Sequence, residues 1–189
     1  MATPKSQRII ILIIAIVMIV GTLGSFLVMG LSLNNQQIDE AAQQAAYEKY
    51  VEQQQEAYRL NAENSVALDG YTTRTFDASS ATKLTIELLT AGAGQIVQST
   101  DTVNASYFGW LSNGVIFDSS QKKSTADEPA SFSLAEVITG WTEGLTGLRV
   151  GSVVRLTIPA DKAYGSQVSG IIPADSPLEF IVIIHSISE

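Results

Sequence analysis

The side chains that carry most enzyme chemistry are scarce in this 189-residue chain. Cysteine is absent, which excludes disulfides, thiolate metal sites and a thiol nucleophile. His185 is the single histidine, so neither a two-histidine zinc motif nor a paired histidine relay can be assembled. No metal and no cofactor are expected. A formal charge of −8 with a pI of 4.6, and no basic run after Arg8, argue against nucleic acid as a partner. What the chain does supply is aromatic groups at turns and strand ends: Tyr107, Phe117, Trp141, Tyr164 and Phe180, with the Asp118 carboxylate next to one of them. Such a set suits a dry, shaped apolar surface better than a proton relay. Each residue also has a plainer reading when taken singly. Trp141 and Phe180 are side chains that any core would bury, Tyr164 before Gly165 fits an ordinary turn, and Asp118 before two serines could cap one. His185 alternates with apolar neighbours and is assigned no role.

These residues need strands to hold them, and period-two alternation marks where the strands fall. Leu84, Ile86 and Leu88 alternate with Thr85, Glu87 and Leu89 as in a half-buried strand, before an AGAG turn. Thr102 to Leu111 is a second strand, ended by Ser112-Asn113-Gly114; an Asn-Gly pair there predicts a hairpin, because both central residues can take positive φ. Val153 to Ile158 puts Val154, Leu156 and Ile158 on one face, and Leu178 to Ile187 closes the chain as a long strand. One short helix is predicted from Leu134 to Gly140, with Ser133 and Glu136 spaced as a capping box. Long-range strands around a single short helix indicate an α+β fold with an antiparallel sheet. Phe108 and Trp110 should face away from Ala105 and Tyr107, and Ile181 and Ile183 away from Phe180 and Val182. That leaves a second apolar face, which residues 71 to 76 are expected to cover in part, because an exposed apolar patch usually marks an interface.

Upstream, residues 9 to 31 carry no charge, and ~23 helical residues would cross a ~30 Å hydrocarbon core. The segment is longer than the apolar region of a cleaved signal peptide and lacks an A-x-A-like site, so it reads as an uncleaved signal anchor. Lys5 and Arg8 precede it while Asp39 and Glu40 are the first charges after it, which puts residues 1 to 8 in the cytoplasm and all that follows outside. Residues 32 to 64, rich in Gln, Glu and Ala, predict a polar helical stem; Ile38, Tyr47, Val51 and Tyr58 are sparse for a coiled-coil seam, leaving a solvated spacer and a dimerising stem both open. Residues 65 to 83 read as a connecting segment, and residues 84 to 189 as the folded domain.

The order of short motifs along that domain carries more information than any one of them. Tyr107-Phe108-Gly109, then Leu111, Asn113-Gly114 and Val115-Ile116-Phe117-Asp118-Ser119-Ser120 are followed by Phe132-Ser133-Leu134 and Val137-Ile138-Thr139-Gly140-Trp141-Thr142-Glu143-Gly144-Leu145. Val150-Gly151, Ile158-Pro159, Ala163-Tyr164-Gly165, Gly170-Ile171-Ile172-Pro173 and Leu178-Glu179-Phe180 complete the series. This succession resembles the FKBP-type peptidyl-prolyl cis/trans isomerases over roughly the last hundred residues, and no part of the anchor or stem. The resemblance implies an FKBP-like antiparallel sheet wrapped around one short helix. It also implies a rotamase that assists folding of proline-containing extracytoplasmic chains, with a non-catalytic chaperone or binding module as the alternative. In that reading Trp141 floors a pocket walled by Tyr107, Phe117, Val137, Ile138 and Phe180. The Ile138 N–H and the Tyr164 hydroxyl bind substrate carbonyls, Asp118 sits at the rim, and Ile172 with Ile171 forms a flap over the residue preceding proline. The chemistry fits, because the isomerisation barrier comes from amide resonance and needs no nucleophile. Three departures stand out: Ser106 replaces a frequent histidine beside the pocket tyrosine, Ala130 replaces an aromatic and leaves a wall missing, and the Gly165 to Gly170 loop is short.

Overall fold

The computed structural model describes residues 40 to 188; the anchor expected over 9 to 31 and the first stem residues lie outside these. The chain divides into two compact units, residues 1 to 53 and 54 to 189. Helix α1 spans Glu40–Asn64. Its composition explains both its formation and its exposure: Ala, Gln, Glu, Lys and Arg favour helix, and Arg59 bridges Glu56 and Glu63 on the outer surface. Among the described residues no helix is long and apolar enough to cross a membrane.

The second unit is built on six antiparallel strands, β1 (Thr85–Thr90), β2 (Thr102–Leu111), β3 (Ile116–Ser119), β4 (Ala130–Ser133), β5 (Val153–Ile158) and β6 (Leu178–Ser188). Their order is β1-β5-β6-β2-β3, with β4 pairing the start of β2 where β3 pairs its end. Strands β2, β5 and β6 fall where alternation put them. One face carries the main core, including Val103, Leu156, Ile158, Leu178, Val182 and Ile184. Helix α2 (Thr139–Leu145) lies against β5 on this face. Glycine makes that approach possible: a Cβ on Gly140 would sit 2.4 Å from Ile158 Cγ2, and one on Gly144 2.9 Å from Leu156 Cδ2.

Two local expectations are corrected, and the expected hairpin between β2 and β3 forms. The helix runs from Thr139 to Leu145 rather than from Leu134 to Gly140, and its N-cap is Ile138, which makes no side-chain cap. Ser133 ends β4 instead, and Glu136 N–H donates to Ser133 O at 3.0 Å in a turn, so the spacing of a capping box here marks a turn after a strand. At the hairpin only Gly114 has positive φ, at 86°, while Asn113 Oδ1 accepts from Val115 N–H at 3.0 Å. Gly114 N–H donates to Leu111 O and Leu111 N–H to Val115 O, the pattern of a type I turn followed by a left-handed glycine. Strand β1 is an edge, not a half-buried strand: it pairs only with β5, the strand α2 lies against, and Ile86 and Leu88 remain 45% and 50% exposed.

The opposite face carries the second cluster, with Leu68, Phe108, Trp110, Val153 and Ile181 buried. Tyr71 and Phe76 pack on it, and Trp110 Nε1–H donates to Arg74 O at 3.0 Å, so residues 71 to 76 do cover this surface. Arg74 also meets a residue the sequence did not single out. Glu179 on β6 is fully buried; it accepts two hydrogen bonds from the Arg74 guanidinium, at 2.6 and 3.0 Å, and one from Thr157 Oγ1 at 2.8 Å. Burying a carboxylate without a counter-charge is strongly unfavourable, so this pair pins the segment to the sheet. Arg74→Met is expected to cost about 2–3 kcal/mol in a urea melt, below the full value of a broken buried pair because Arg74 itself is half exposed. Adding Glu179→Leu should restore most of the loss; no recovery would show that the ion pair is not what holds the segment.

Candidate active site

Strand β2 runs antiparallel to β6 and presents Tyr107 near Val182 and Gly109 near Phe180, while β3 brings Phe117 and Asp118 back beside them. Gly109 has no side chain, and its place is filled by rings: a Cβ there would lie 2.5 Å from both Phe117 Cζ and Phe180 Cε1. Trp141, on the first turn of α2, drops onto this group and is 4% exposed. Its ring meets Tyr107, Phe132 and Phe180 at centroid distances of 5.5, 5.0 and 5.5 Å, all steeply inclined. Tyr107 and Phe132 pack edge to face at 5.3 Å, and Phe117 and Phe180 at 5.5 Å. Edge-to-face contacts place the positive edge of one ring on the negative face of the next, and add about 0.5–1.5 kcal/mol per pair beyond burial.

Phe132 was not anticipated. The wall judged missing at Ala130 is supplied two residues further along β4: Ala130 is buried opposite Ala105, and Phe132, pairing Val103, puts its ring against Tyr107 and Trp141. The signal was the period of two, since residues 130 and 132 share a face of the strand.

The polar groups lie around the rings. Tyr107 hydroxyl donates to Asp118 Oδ2. Asp118 Oδ1 accepts from Ser119 N–H at 2.9 Å, Asn61 Nδ2 at 3.0 Å and Lys122 Nζ at 3.1 Å. Burial pushes the Tyr107 hydroxyl well above the ordinary tyrosine value, with the negative charge of Asp118 adding to it. Tyr164 is raised by the same causes in the same order, with Tyr58 adding a smaller contribution. Tyr164 is 39% exposed, and its hydroxyl makes no hydrogen bond among the described residues. The Ile138 N–H likewise donates to nothing there, although the Ile138 carbonyl accepts from Trp141 and Thr142. Trp141 Nε1–H is buried without a partner among the described residues.

The nine expected residues are therefore not equally placed. Tyr107, Phe117, Trp141 and Phe180 converge, Asp118 is bonded to one of them, and Val137 and Ile138 pack half-buried against the same core. Ile172 is 4% exposed and belongs to that core, leaving Ile171 as the half-buried member of the loop. Behind Tyr107 runs a network the sequence did not reveal. Ser106 Oγ–H donates to Asp127 and lies 2.6 Å from His185 Nε2, while Ser120 Oγ–H donates to Asp127 at 2.6 Å and accepts from Tyr107 N–H at 2.9 Å. His185 thus occupies, from β6, the neighbourhood that Ser106 leaves open on β2.

Residues 94 to 185 match the family model described as FKBP-type peptidyl-prolyl cis-trans isomerase. A probable FKBP-type peptidyl-prolyl cis-trans isomerase of Haemophilus influenzae is 39% identical over 106 residues, which are 56% of this chain and 43% of that protein. The FKBP-type isomerase FkpA of Escherichia coli K12 is 41% identical over 104 residues, 55% of this chain and 37% of its own length. The chain thus spans less than half the length of these curated relatives. The crystal structure of a peptidyl-prolyl cis-trans isomerase from Pseudomonas syringae superposes with a TM-score of 0.52 at 30% identity, covering 73% of this chain and 96% of that one. With its sheet, its short helix and its ordered motifs in agreement, the chain belongs to the FKBP-type peptidyl-prolyl cis-trans isomerase family.

Proposed function

We propose that this chain is a peptidyl-prolyl cis/trans isomerase that assists the folding of extracytoplasmic proteins from a single-pass membrane anchor at residues 9 to 31. The observation that carries the catalytic part is the convergence of three steeply inclined rings, Tyr107, Phe132 and Phe180, on Trp141, with Phe117 against Phe180, beside the uncommitted Ile138 N–H and Tyr164 hydroxyl. Topology and site of action rest on the charge bias around the apolar segment alone.

The chemistry follows from what the prolyl bond requires. Its barrier of ~18–20 kcal/mol reflects the resonance that keeps the amide planar. At the twisted geometry the C–N double-bond character is lost and with it part of the charge separation, so the twisted amide depends less on water than the planar one does. A site of aromatic walls favours it for that reason. In this reading Trp141 supports the proline ring, with Tyr107, Phe117, Phe132, Val137 and Phe180 enclosing it. The Ile138 N–H and Tyr164 hydroxyl hold the flanking carbonyls, so rotation takes place about one fixed end. Asp118, saturated by Tyr107, Ser119, Asn61 and Lys122, orients the Tyr107 ring and does not act as a base. Ile171 faces the residue preceding proline. The uncatalysed reaction takes ~10–100 s, long enough to delay a secreted chain.

A protease-coupled assay with proline tetrapeptides, using the full chain in detergent micelles, tests this directly. Trp141→Leu should abolish most of the rate, and Tyr164→Phe should lower kcat/KM about two- to tenfold, the weight of one neutral hydrogen bond. A wild-type rate no faster than buffer would instead support a non-catalytic binding module. The two tyrosines give a second check. A hydroxyl whose folded pKa is raised contributes stability that is fully present below the ordinary value of 10.0 and is lost as pH climbs through the folded value. In an alkaline absorbance titration, Tyr107 and Tyr164 should ionise above the ordinary tyrosine range, and replacing each by Phe should delete one late step.

A further inference from the structure

The matched family region begins at residue 94, so helix α1 lies wholly outside it. Its last turns nonetheless end on the rim of the site. Asn61 Nδ2 donates to Asp118 Oδ1 at 3.0 Å, and Lys122 Nζ ties together Asn61 Oδ1, Ser65 Oγ and Asp118 Oδ1 at 2.8, 2.9 and 3.1 Å. The main chain fixes this register: Val66 N–H donates to Gln121 O, Lys123 N–H donates to Asn64 O, and Ser65 bridges Lys122. Three residues before Asn61, Tyr58 lies directly on the loop that follows Tyr164. A Cβ on Gly170 would stand only 2.7 Å from Tyr58 Cγ and 2.8 Å from Cδ1, so the ring root rests on that backbone with no room for a side chain between them. The influence of Tyr58 on the Tyr164 hydroxyl agrees with this placement.

Positions three apart lie on one face of a helix. That face is therefore attached at two points of the cleft, the Asp118 carboxylate on one side and the Gly170 turn on the other, with Tyr164 near both. Lys122 and Asn61 are half-buried, and the contacts are made through side-chain amide, ammonium and carboxylate groups over 57 and 61 residues of sequence, so α1 is built into the rim. A strut needing only to hold the helix could have used any part of the sheet; this one uses a carboxylate bonded to a ring of the aromatic group and the backbone beside Ile171.

We propose that Tyr58 and Asn61 belong to the substrate site as specificity-determining residues: Tyr58 forms an aromatic wall for the side chain preceding proline, and Asn61 positions that wall by tying α1 to Asp118. The inference rests on the isomerase reading above. Tyr58 is half-buried, amphipathic and seated against the Gly170 backbone, so it offers apolar area to a large neighbour of proline and nothing to a small one.

The test is a set of kcat/KM values for the full chain on Ala-Xaa-Pro-Phe peptides with Xaa as Ala, Leu, Lys or Glu. Tyr58→Ala should lower kcat/KM for Leu about three- to tenfold through KM, leaving the Ala peptide within about twofold, as expected for loss of one apolar contact in a specificity pocket. Tyr58→Phe keeps the ring and should retain the wild-type profile. Asn61→Ala, which unties the face without altering Tyr58, should show the same selective loss in smaller degree, with thermal melts confirming a folded domain. Equal loss on all four peptides, or none, in a chain whose wild type is active overturns this assignment and leaves the isomerase reading intact. An inactive wild type overturns both.

Discussion

Everything at the site depends on how closely α2 can approach the sheet. Trp141 reaches Tyr107, Phe132 and Phe180 only because Gly140 and Gly144 let the helix backbone rest on Ile158 and Leu156. A methyl group at either glycine would meet a branched side chain, Ile158 or Leu156, that is itself fully buried, and a close-packed interior shifts rather than compresses. The same constraint appears in the sheet at Gly109, whose missing side chain is replaced by the edges of Phe117 and Phe180. Two close approaches, one of helix to strand and one of ring to strand, therefore set the geometry of the aromatic group.

The polar groups divide into those already committed and those left open. Asp118 accepts four hydrogen bonds, counting Tyr107, Ser119, Asn61 and Lys122, which makes it a structural anchor in spite of its position. Among the described residues the Ile138 N–H, the Tyr164 hydroxyl and the buried Trp141 Nε1–H are open. An uncommitted donor beside a dry surface is unfavourable to maintain unless something else bonds to it, and this contrast directs the functional reading. A helix of seven residues cannot satisfy its own first amides, so the free N–H at Ile138 follows from the way α2 begins.

The sheet is apolar on both faces, and each face solves its burial differently. The inner face is covered by α2 and the long loops, while the outer one is covered by residues 67 to 76, held by Trp110 Nε1–H on Arg74 O and by Arg74 on Glu179. Buried charge on the outer face is tolerated because the guanidinium satisfies both carboxylate oxygens while keeping part of itself in water. At the cleft, the end of α1 is joined to the domain by a similar arrangement, a side-chain network around Lys122.

By itself the sequence determined the strands β2, β5 and β6, the two apolar faces and the family, because alternation and motif order are local and survive without knowledge of contacts. It also placed Tyr107, Phe117, Trp141 and Phe180 in one group, since the resemblance carries their relative order. It misplaced α2 by five residues because Ser133 and Glu136 have cap spacing, yet the strand pairing of β4 with β2 takes Ser133 first. Only the tertiary structure decided that Phe132 supplies the wall absent at Ala130, that His185 serves Ser106 across 79 residues, that Arg74 meets Glu179 across 105, and that Asn61 meets Asp118 across 57. Contacts between residues so far apart depend on the register and twist of strands that pair over long range, and no local pattern of residue types encodes them.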